Sequence, residues 1–289
     1  MMIHAATTLG FSAFGLETAL AQLADAGFRE VEISHMGSFC VHLPHPDTTA
    51  EAVADALDRN GVRPIACNIS LGRWEPEGRD RFFDYTDSAD AREAVALGRW
   101  YLELASRLGV RTVTMSTARR QLDEREWLRH LKGAARAFRE QARIAADLGM
   151  HIHLEVPHLF QITDSVEHVK AMFEEVDHPA VAATVDTSHW GVIGYDPDDL
   201  FGFLGDCLRH VHLRDAAGSD TRDFRQDLEL TPGRGTADFA AFREALERAG
   251  YRGTVSLDFE YRMPDIPHIR GEFDYGLAAL AEAGWRTDG

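Results

Sequence analysis

The sequence predicts an α/β protein of the (β/α)8 class, a TIM barrel that residues 1–289 form as a single domain. Short β-branched or apolar runs alternate with longer amphipathic runs along the whole chain, a pattern typical of a parallel sheet with crossover helices. Polar residues end each of the last four strand-like runs, and each step between them corresponds to one strand-plus-helix unit of such a barrel, roughly 30 residues. No low-complexity linker interrupts the series, so we predict no domain boundary.

Eight short runs are predicted to be strands. They are residues 3–8, 30–34, 63–69, 112–116, 151–156, 181–186, 210–213 and 254–259. Between them, segments such as LETALAQLADAG and DFAAFREALERAG have apolar residues at intervals of three and four, which predicts helices. Five helical segments end in glycine just before a strand, at Gly27, Gly61, Gly109, Gly149 and Gly250. Glycine there suits a left-handed C-cap, and the repetition favours a barrel over an open sheet with a second domain.

The longest predicted connections from a strand to its helix follow the second, third, seventh and eighth strands. They are residues 35–47, 72–90, 215–236 and 261–272. In a barrel these loops lie on the face where the strands end, which is where substrate sites form. We therefore expect a pocket for a small-molecule substrate on that face.

Composition excludes several kinds of partner. The formal net charge is −17, and the basic residues form no cluster, which argues against a nucleic-acid partner because the phosphate backbone requires a positive surface. Three cysteines without C-x-x-C spacing indicate neither a disulfide framework nor a zinc knot. The N-terminal segment lacks the pattern of a signal peptide, and no apolar run has the length of a membrane span. We expect a cytoplasmic protein without a membrane partner.

Four polar residues at the ends of the last four predicted strands indicate a metal site. Glu155, Asp186 and His212 end three successive strands, and either Asp258 or Glu260 ends the last one. The C-terminal ends of barrel strands converge on one mouth, so these side chains should meet. Carboxylates with one imidazole suit Mn²⁺ or Mg²⁺, and Co²⁺ or Zn²⁺ is possible.

The same residues belong to phrases that resemble a known family. The phrases are HIHLEV, ATVDTSHW, HVHLRD, PGRGTADF and YRGTVSLDFEY. They are similar to the xylose isomerase-like barrels, and within these to sugar isomerases and epimerases of the ketose 3-epimerase, hydroxypyruvate isomerase and inosose dehydratase type. The resemblance implies one divalent cation, commonly Mn²⁺, held by Glu155, Asp186, His212 and an acid of the last strand. It also implies that His189 binds a substrate oxygen and that two ligand carboxylates exchange a proton with substrate.

Two positions depart from the family pattern. Counted from Tyr251 and Gly253, the family's last-strand Glu falls on Asp258, which is shorter by one methylene. Glu260 lies two residues further on the same strand face and is the alternative as base, supporting partner or ligand. Gln161 stands where similar ketose 3-epimerases have another Glu, and Gln cannot act as a base. A simple ketose 3-epimerase is therefore less favoured.

Other residues near the expected mouth have alternative interpretations. Arg214 follows His212 and either holds a substrate oxygen or pairs with Asp215 or another acid. His153 and His210 lie one layer deeper, so we predict hydrogen-bonded supports rather than ligands.

Four further histidines stand in loops of the expected mouth: His35, His42, His45 and His158. An imidazole there could supply the proton that a departing β-hydroxyl requires. Each of them could equally be a surface loop residue.

Four functions follow as hypotheses. The first is a metal-dependent isomerase or epimerase of a ketose or small hydroxy-ketone, acting through an enediolate. The second is a lyase or dehydratase of a keto-sugar, keto-glycoside or keto-inositol, which would use one of the loop histidines as an acid. An abasic-site endonuclease is a remote third, disfavoured by the negative charge, and a binding protein without catalysis is the fourth. By resemblance, a homodimer or homotetramer is also expected.

Overall fold

Eight parallel strands close into a barrel in this computed structural model, which describes residues 1–43, 49–73, 81–218, 227–261 and 263–287. The strands are β1 (Ala5–Thr7), β2 (Glu30–Met36), β3 (Arg63–Ile69), β4 (Thr112–Met115), β5 (His151–Glu155), β6 (Val181–Asp186), β7 (Leu208–Leu213) and β8 (Thr254–Leu257). Each pairs with its neighbours in sequence, and β1 pairs with both β2 and β8, which closes the ring. The predicted (β/α)8 barrel is confirmed.

The described helices cover the outside of the ring. They are α1 (Leu16–Asp25), α2 (Ala50–Asn60), α3 (Ser88–Arg107), α4 (Glu124–Asp147), α5 (Val166–Val176), α6 (Thr187–Ile193), α7 (Pro197–Leu204), α8 (Phe239–Arg248) and α9 (Ile266–Glu282). Their apolar faces pack on the strands around buried aromatic residues such as Tyr101, Phe138 and Phe242. Across the described ranges, no helix combines the length and apolar character needed to cross a membrane.

Five glycines end helices as the sequence predicts. Their φ angles are 96° at Gly27, 62° at Gly61, 76° at Gly109, 66° at Gly149 and 68° at Gly250. This left-handed region is open to glycine at little steric cost, so the chain can leave each helix and enter the next strand within a few residues.

Four predicted strand boundaries were wrong by two residues. The seventh strand begins at Leu208 instead of residue 210, and the eighth ends at Leu257 instead of residue 259. The first strand begins at Ala5 because Met2–Ile3 pairs instead with Arg286–Thr287. The second continues to Met36, since its end forms an antiparallel pair with Cys40–Val41. The loop segments 44–48, 74–80 and 219–226 lie outside the described residues, and His45 is among them.

Candidate metal centre

The side chains predicted as metal ligands lie together at the C-terminal mouth of the barrel. Glu155 ends β5, Asp186 ends β6, His212 lies on β7, and Asp258 directly follows β8. Strand register produces this arrangement, because Asp186 pairs with His212 across β6 and β7. All four residues are buried, and one ligand atom from each lies within 4.8 Å of the others.

The donor atoms fit a divalent cation. His212 Nδ1 is 3.2 Å from Glu155 Oε1 and 3.6 Å from Asp258 Oδ2. Asp258 Oδ1 is buried and has no hydrogen-bond partner within the described ranges. A buried carboxylate oxygen without a partner costs free energy, and a cation would satisfy it. Three carboxylates and one imidazole are donors that Mn²⁺, Mg²⁺ and related ions accept.

Asp186 is held from both sides. Its Oδ1 accepts hydrogen bonds from the backbone N–H and the hydroxyl of Ser188, each at 2.7 Å, so it caps the N-terminus of α6. Its Oδ2 accepts from Arg214 Nη2 at 2.7 Å. The local run from strand into helix therefore fixes the orientation of this carboxylate.

Arg214 distinguishes the two acids of the last strand. Its Nη1 donates to Glu260 and lies 3.8 Å from Asp258 Oδ2. Asp258 thus lies in the cluster, whereas Glu260 is paired with the guanidinium. Arg214 does not pair with Asp215, one of the partners considered for it from the sequence.

The Asp215 carboxylate is bound by backbone amides instead. It accepts hydrogen bonds from the N–H groups of Ala216, Gly233, Gly235 and Ala237 at 2.8–3.0 Å. The three bonds from Gly233, Gly235 and Ala237 tie the PGRGT turn and the residue after it to the end of β7.

Two histidines lie beside the cluster with defined tautomers. His189, on the first turn of α6, accepts a hydrogen bond at Nδ1 from the Leu159 amide at 3.4 Å. His158 Nδ1 accepts from the Phe160 amide at 3.3 Å, and its Nε2 is 4.0 Å from Glu155 Oε2. The two ring centroids are 3.9 Å apart. Both rings should therefore carry their proton on Nε2, and His189 Nε2 has no partner within the described residues.

Burial and charge shift the pKa values of these groups in opposite directions. Burial would raise the pKa of Glu155, but the hydrogen bond from His212 and the charges of His158 and His212 lower it. Burial raises the pKa of Asp258 by more than His212 and Arg214 lower it. Burial would lower the pKa of His212, yet Glu32, Asp258 and Glu155 hold it well above its usual value.

The pKa values of the two flanking histidines are both lowered, which favours their neutral form. Burial is the main cause, and it lowers the pKa of His158 to about 3 with a contribution from the charge of His189. Burial also holds the pKa of His189 well below its usual value, with further contributions from Arg214 and His212. Both can therefore donate a hydrogen bond without carrying a charge.

The remaining loop histidines have other surroundings. His42 was expected near the mouth, but it is buried with Nε2 bonded to the Phe14 carbonyl at 2.8 Å and Nδ1 3.3 Å from Cys40 Sγ. Both ring nitrogens of His42 therefore already have partners within the protein. His35 is buried near the end of β2 and its ring contacts that of Tyr101, 5.6 Å between centroids.

Gln161 has a structural partner. Its Oε1 accepts hydrogen bonds from the backbone N–H of Thr117 and from the Thr117 hydroxyl, the latter at 2.8 Å. The Gln161 side chain thus joins the loops after β4 and β5. In the sequence, this residue stands where similar ketose 3-epimerases have a glutamate.

Glu32 was not identified from the sequence. It lies on β2 with a fully buried side chain and contacts His210 and His212 of β7. Burial would raise the pKa of Glu32, but the two imidazoles hold it well below its usual value. The sequence did contain one indication, because Glu32 stands between Val31 and Ile33 in a predicted strand. Side chains alternate along a strand, so this acid points either into the barrel interior or toward the helices, and both are apolar surroundings in which a charged group needs a partner.

The chain is similar in sequence to proteins of one known family. Residues 20–283 match the family model described as "Xylose isomerase-like TIM barrel". An inosose dehydratase of Geobacillus thermodenitrificans (strain NG80-2) is 29% identical over 147 residues, 47% of this chain and 48% of that protein. A ketose 3-epimerase of Arthrobacter globiformis is 26% identical over 276 residues, 90% of this chain and 84% of that protein.

A solved structure described as the IOLI protein with a bound zinc atom has the same fold. It superposes with a TM-score of 0.73 at 18% identity, covering 96% of this chain and 98% of that one. The chain spans about half the length of the inosose dehydratases that it matches. The curated relatives thus include both epimerases and dehydratases.

Proposed function

Because the chain belongs to the xylose isomerase-like TIM barrel family, we propose that it is a divalent-metal-dependent isomerase or epimerase of a ketose or small hydroxy-ketone. One observation carries the proposal: Glu155 and Asp258, both buried, approach the same nitrogen of His212 from two different strands. Epimerisation requires one group that removes a proton and one that returns it. Two carboxylates at one centre meet that requirement.

The cation would be held by Glu155, Asp186, His212 and Asp258. Mn²⁺ is the ion we expect, with Mg²⁺, Co²⁺ or Zn²⁺ possible, and the zinc in the IOLI structure supports a divalent ion. When bound, such an ion supplies positive charge that polarises a carbonyl and stabilises an enediolate.

The side chains of the site then have separate tasks. Glu155 removes a proton from the carbon beside the substrate carbonyl, and Asp258 returns one to that carbon. His189 donates its Nε2–H to a substrate oxygen. Arg214 orients Asp186 and holds Glu260 away from the cluster, so a direct contact of Arg214 with substrate would require release of one of these acids.

A dehydratase is the second candidate because of His158. Its Nε2 is 4.0 Å from Glu155 Oε2, and its ring lies against that of His189, tilted by 41°. Dehydration shares the first proton abstraction and then requires a donor at the departing hydroxyl. A neutral Nε2–H beside the base could act there, and the similarity to inosose dehydratases supports this alternative.

Incubation with ketoses and keto-inositols in D₂O tests both candidates. Protein freed of metal with EDTA and reloaded with Mn²⁺ should incorporate deuterium beside the carbonyl, as NMR of the substrate would show. A new epimer or isomer would identify the first candidate, and an unsaturated product with ultraviolet absorbance would identify the second. No exchange with any substrate by protein that binds Mn²⁺ would contradict both.

The proposed partner is a small sugar-like molecule in the cytoplasm. The cluster contains one imidazole and three carboxylates, whereas the endonuclease alternative would need more histidines around three zinc ions. The charge of −17 also opposes DNA binding. The expected dimer or tetramer remains a prediction, which sedimentation equilibrium would test.

A further inference from the structure

A buried carboxylate crosses the barrel beneath the candidate metal centre. Glu32 lies on β2, whereas His210 and His212 lie on β7, and β8 and β1 stand between these two strands in the ring. Glu32 Oε2 is 2.9 Å from His210 Nε2 and 3.2 Å from His212 Nε2. All three side chains have zero solvent exposure, so water cannot replace these contacts.

These contacts determine where His212 carries its proton. An ionised carboxylate only accepts hydrogen bonds, so the His212 Nε2 that faces Glu32 must be the protonated nitrogen. When His212 gives up its second proton to act as a ligand, the lone pair therefore lies on Nδ1, which is the atom near Glu155 and Asp258. The other tautomer would place a lone pair against the Glu32 carboxylate and a proton toward the cluster.

The same reasoning extends to His210. Its Nε2–H donates to Glu32, and its Nδ1 therefore accepts from the Thr254 hydroxyl, 2.6 Å away. The hydroxyl of Ser256 lies 3.2 Å from His210 Nε2. Glu32 is thus held between two imidazoles, and a residue of β8 fixes the orientation of the first.

We infer that Glu32 is a positioning residue that acts through His212, holding its Nδ1 lone pair toward the cation. This inference rests on the metal centre of the proposed function. Glutamine at position 32 would have nearly the same shape but no charge, and an NH₂ group would replace one of the two carboxylate oxygens. Both oxygens now lie near His212 Nε2, at 3.2 and 3.3 Å, so either orientation of the amide would place N–H groups against this nitrogen and weaken its hold on the proton.

Mn²⁺ titration calorimetry tests the inference with three metal-free proteins: the wild type, Glu32→Gln and Glu30→Gln. Glu30 is a matched control, since it begins the same strand and pairs with Arg63, whose side chain is 76% exposed. The wild type should bind one Mn²⁺, and Glu32→Gln should bind one about 10–100-fold more weakly, the usual effect of removing a partner behind a ligand. Glu30→Gln should retain the wild-type affinity, and circular dichroism in EDTA should show all three folded.

The outcomes separate the two proposals. A wild type that binds none of Mn²⁺, Co²⁺ or Zn²⁺ would remove the metal centre and this inference together. A wild type that binds Mn²⁺ with the same affinity as Glu32→Gln would overturn the inference alone. Two ions in the wild type and one in Glu32→Gln would also overturn it, because Glu32 would then be a ligand.

Nitrogen NMR of the wild type gives an answer even if Glu32→Gln fails to fold. In ¹⁵N-histidine protein, Zn²⁺ addition should shift the Nδ1 signal of one imidazole whose Nε2 remains protonated. Coordination through Nε2 would contradict the inference.

Discussion

Two acids that follow β8 have different partners, although they are two residues apart. Asp258 faces His212 with one oxygen unpartnered among the described residues, and Glu260 is bound by Arg214. From the sequence, Asp258 was the predicted ligand and Glu260 the alternative. The distribution of partners favours Asp258.

Exchange of each acid for its amide should separate the two roles. Asp258→Asn should weaken Mn²⁺ binding by more than about 100-fold, beyond the usual effect of residues behind a ligand. Glu260→Gln should change the affinity by less than about 10-fold, because it leaves every cluster carboxylate in place. Calorimetry measures both, and a reversed order would make Glu260 the ligand.

His158 offers a test of the reaction type. In an epimerase, His158→Gln should leave deuterium exchange within about 10-fold of wild type, since both proton-transferring carboxylates remain. In a dehydratase it should lower product formation by about 10²–10⁴-fold, the usual contribution of a general acid, with exchange retained. His178→Gln, a partly buried change on a loop before β6, is the control. If His158→Gln lost deuterium exchange, Glu155 could not be the group that removes the proton without help from His158.

The sequence was sufficient to predict that Glu155, Asp186 and His212 would lie near one another, because strand ends of a barrel share a mouth. It could not predict Glu32 as their neighbour. The contact between Glu32 and His212 joins β2 and β7 across the barrel interior. The residue pattern within one strand does not indicate which residues of a distant strand it will contact. The tautomers of His158 and His189 likewise depend on backbone amides whose directions only the folded loop defines.

At the scale of elements, the loop after β7 is built around Asp215. Four backbone N–H groups of this loop donate to its carboxylate. A Cβ at Gly235 would lie 2.3 Å from the Ala216 carbonyl oxygen and 2.4 Å from Asp215 Oδ1. The glycine of the PGRGT phrase is therefore required by close approach of the backbone.

Alanine at position 235 should destabilise the protein by about 1–3 kcal/mol, the usual cost of a forced side chain in a packed site. The control is Gly202→Ala in α7, where a Cβ would meet nothing within 4 Å. That change should stabilise the helix by up to about 1 kcal/mol. Urea denaturation measures both, and equal effects would contradict the close packing described for Gly235.

The sequence predicted the positions of the strands and helices better than it predicted the contacts of single residues. All eight strands were anticipated because apolar alternation and helix-ending glycines recur in one register. The boundaries at the N-terminal end of β1 and the C-terminal end of β2 were not, since they depend on pairing with Arg286–Thr287 and Cys40–Val41, which only the closed fold brings near.

Across the whole molecule, the three thiols should differ in reactivity. Cys40 and Cys67 are buried, whereas Cys207 is partly accessible. Burial disfavours the thiolate and, together with the charges of Glu260 and Asp258, raises the pKa of Cys40 to about 12. At pH 8 a thiol reagent should therefore label one cysteine per folded chain and three in urea. Rapid labelling of two or more in the folded protein would contradict this burial.

Binding of the proposed metal ion should stabilise the entire barrel, because the four proposed ligands come from four different strands or their ends. A ligand at 100 times its Kd adds about 2.7 kcal/mol to the free energy of unfolding if the unfolded chain does not bind it. Thermal unfolding with Mn²⁺ and with EDTA measures the difference. Asp258→Asn should show little of this gain at the same Mn²⁺ concentration.

The short segment 186–189 combines a proposed metal ligand, a helix cap and a proposed hydrogen-bond donor within one turn. Asp186 orients itself through Ser188, and His189 follows on the same first turn of α6. Because the bonds to Ser188 are local, protein engineering could transfer this segment to another site where a parallel strand runs directly into a helix. Arg214 and the Leu159 amide also hold Asp186 Oδ2 and His189 Nδ1, so both partners would have to be transferred with it to keep the present orientation.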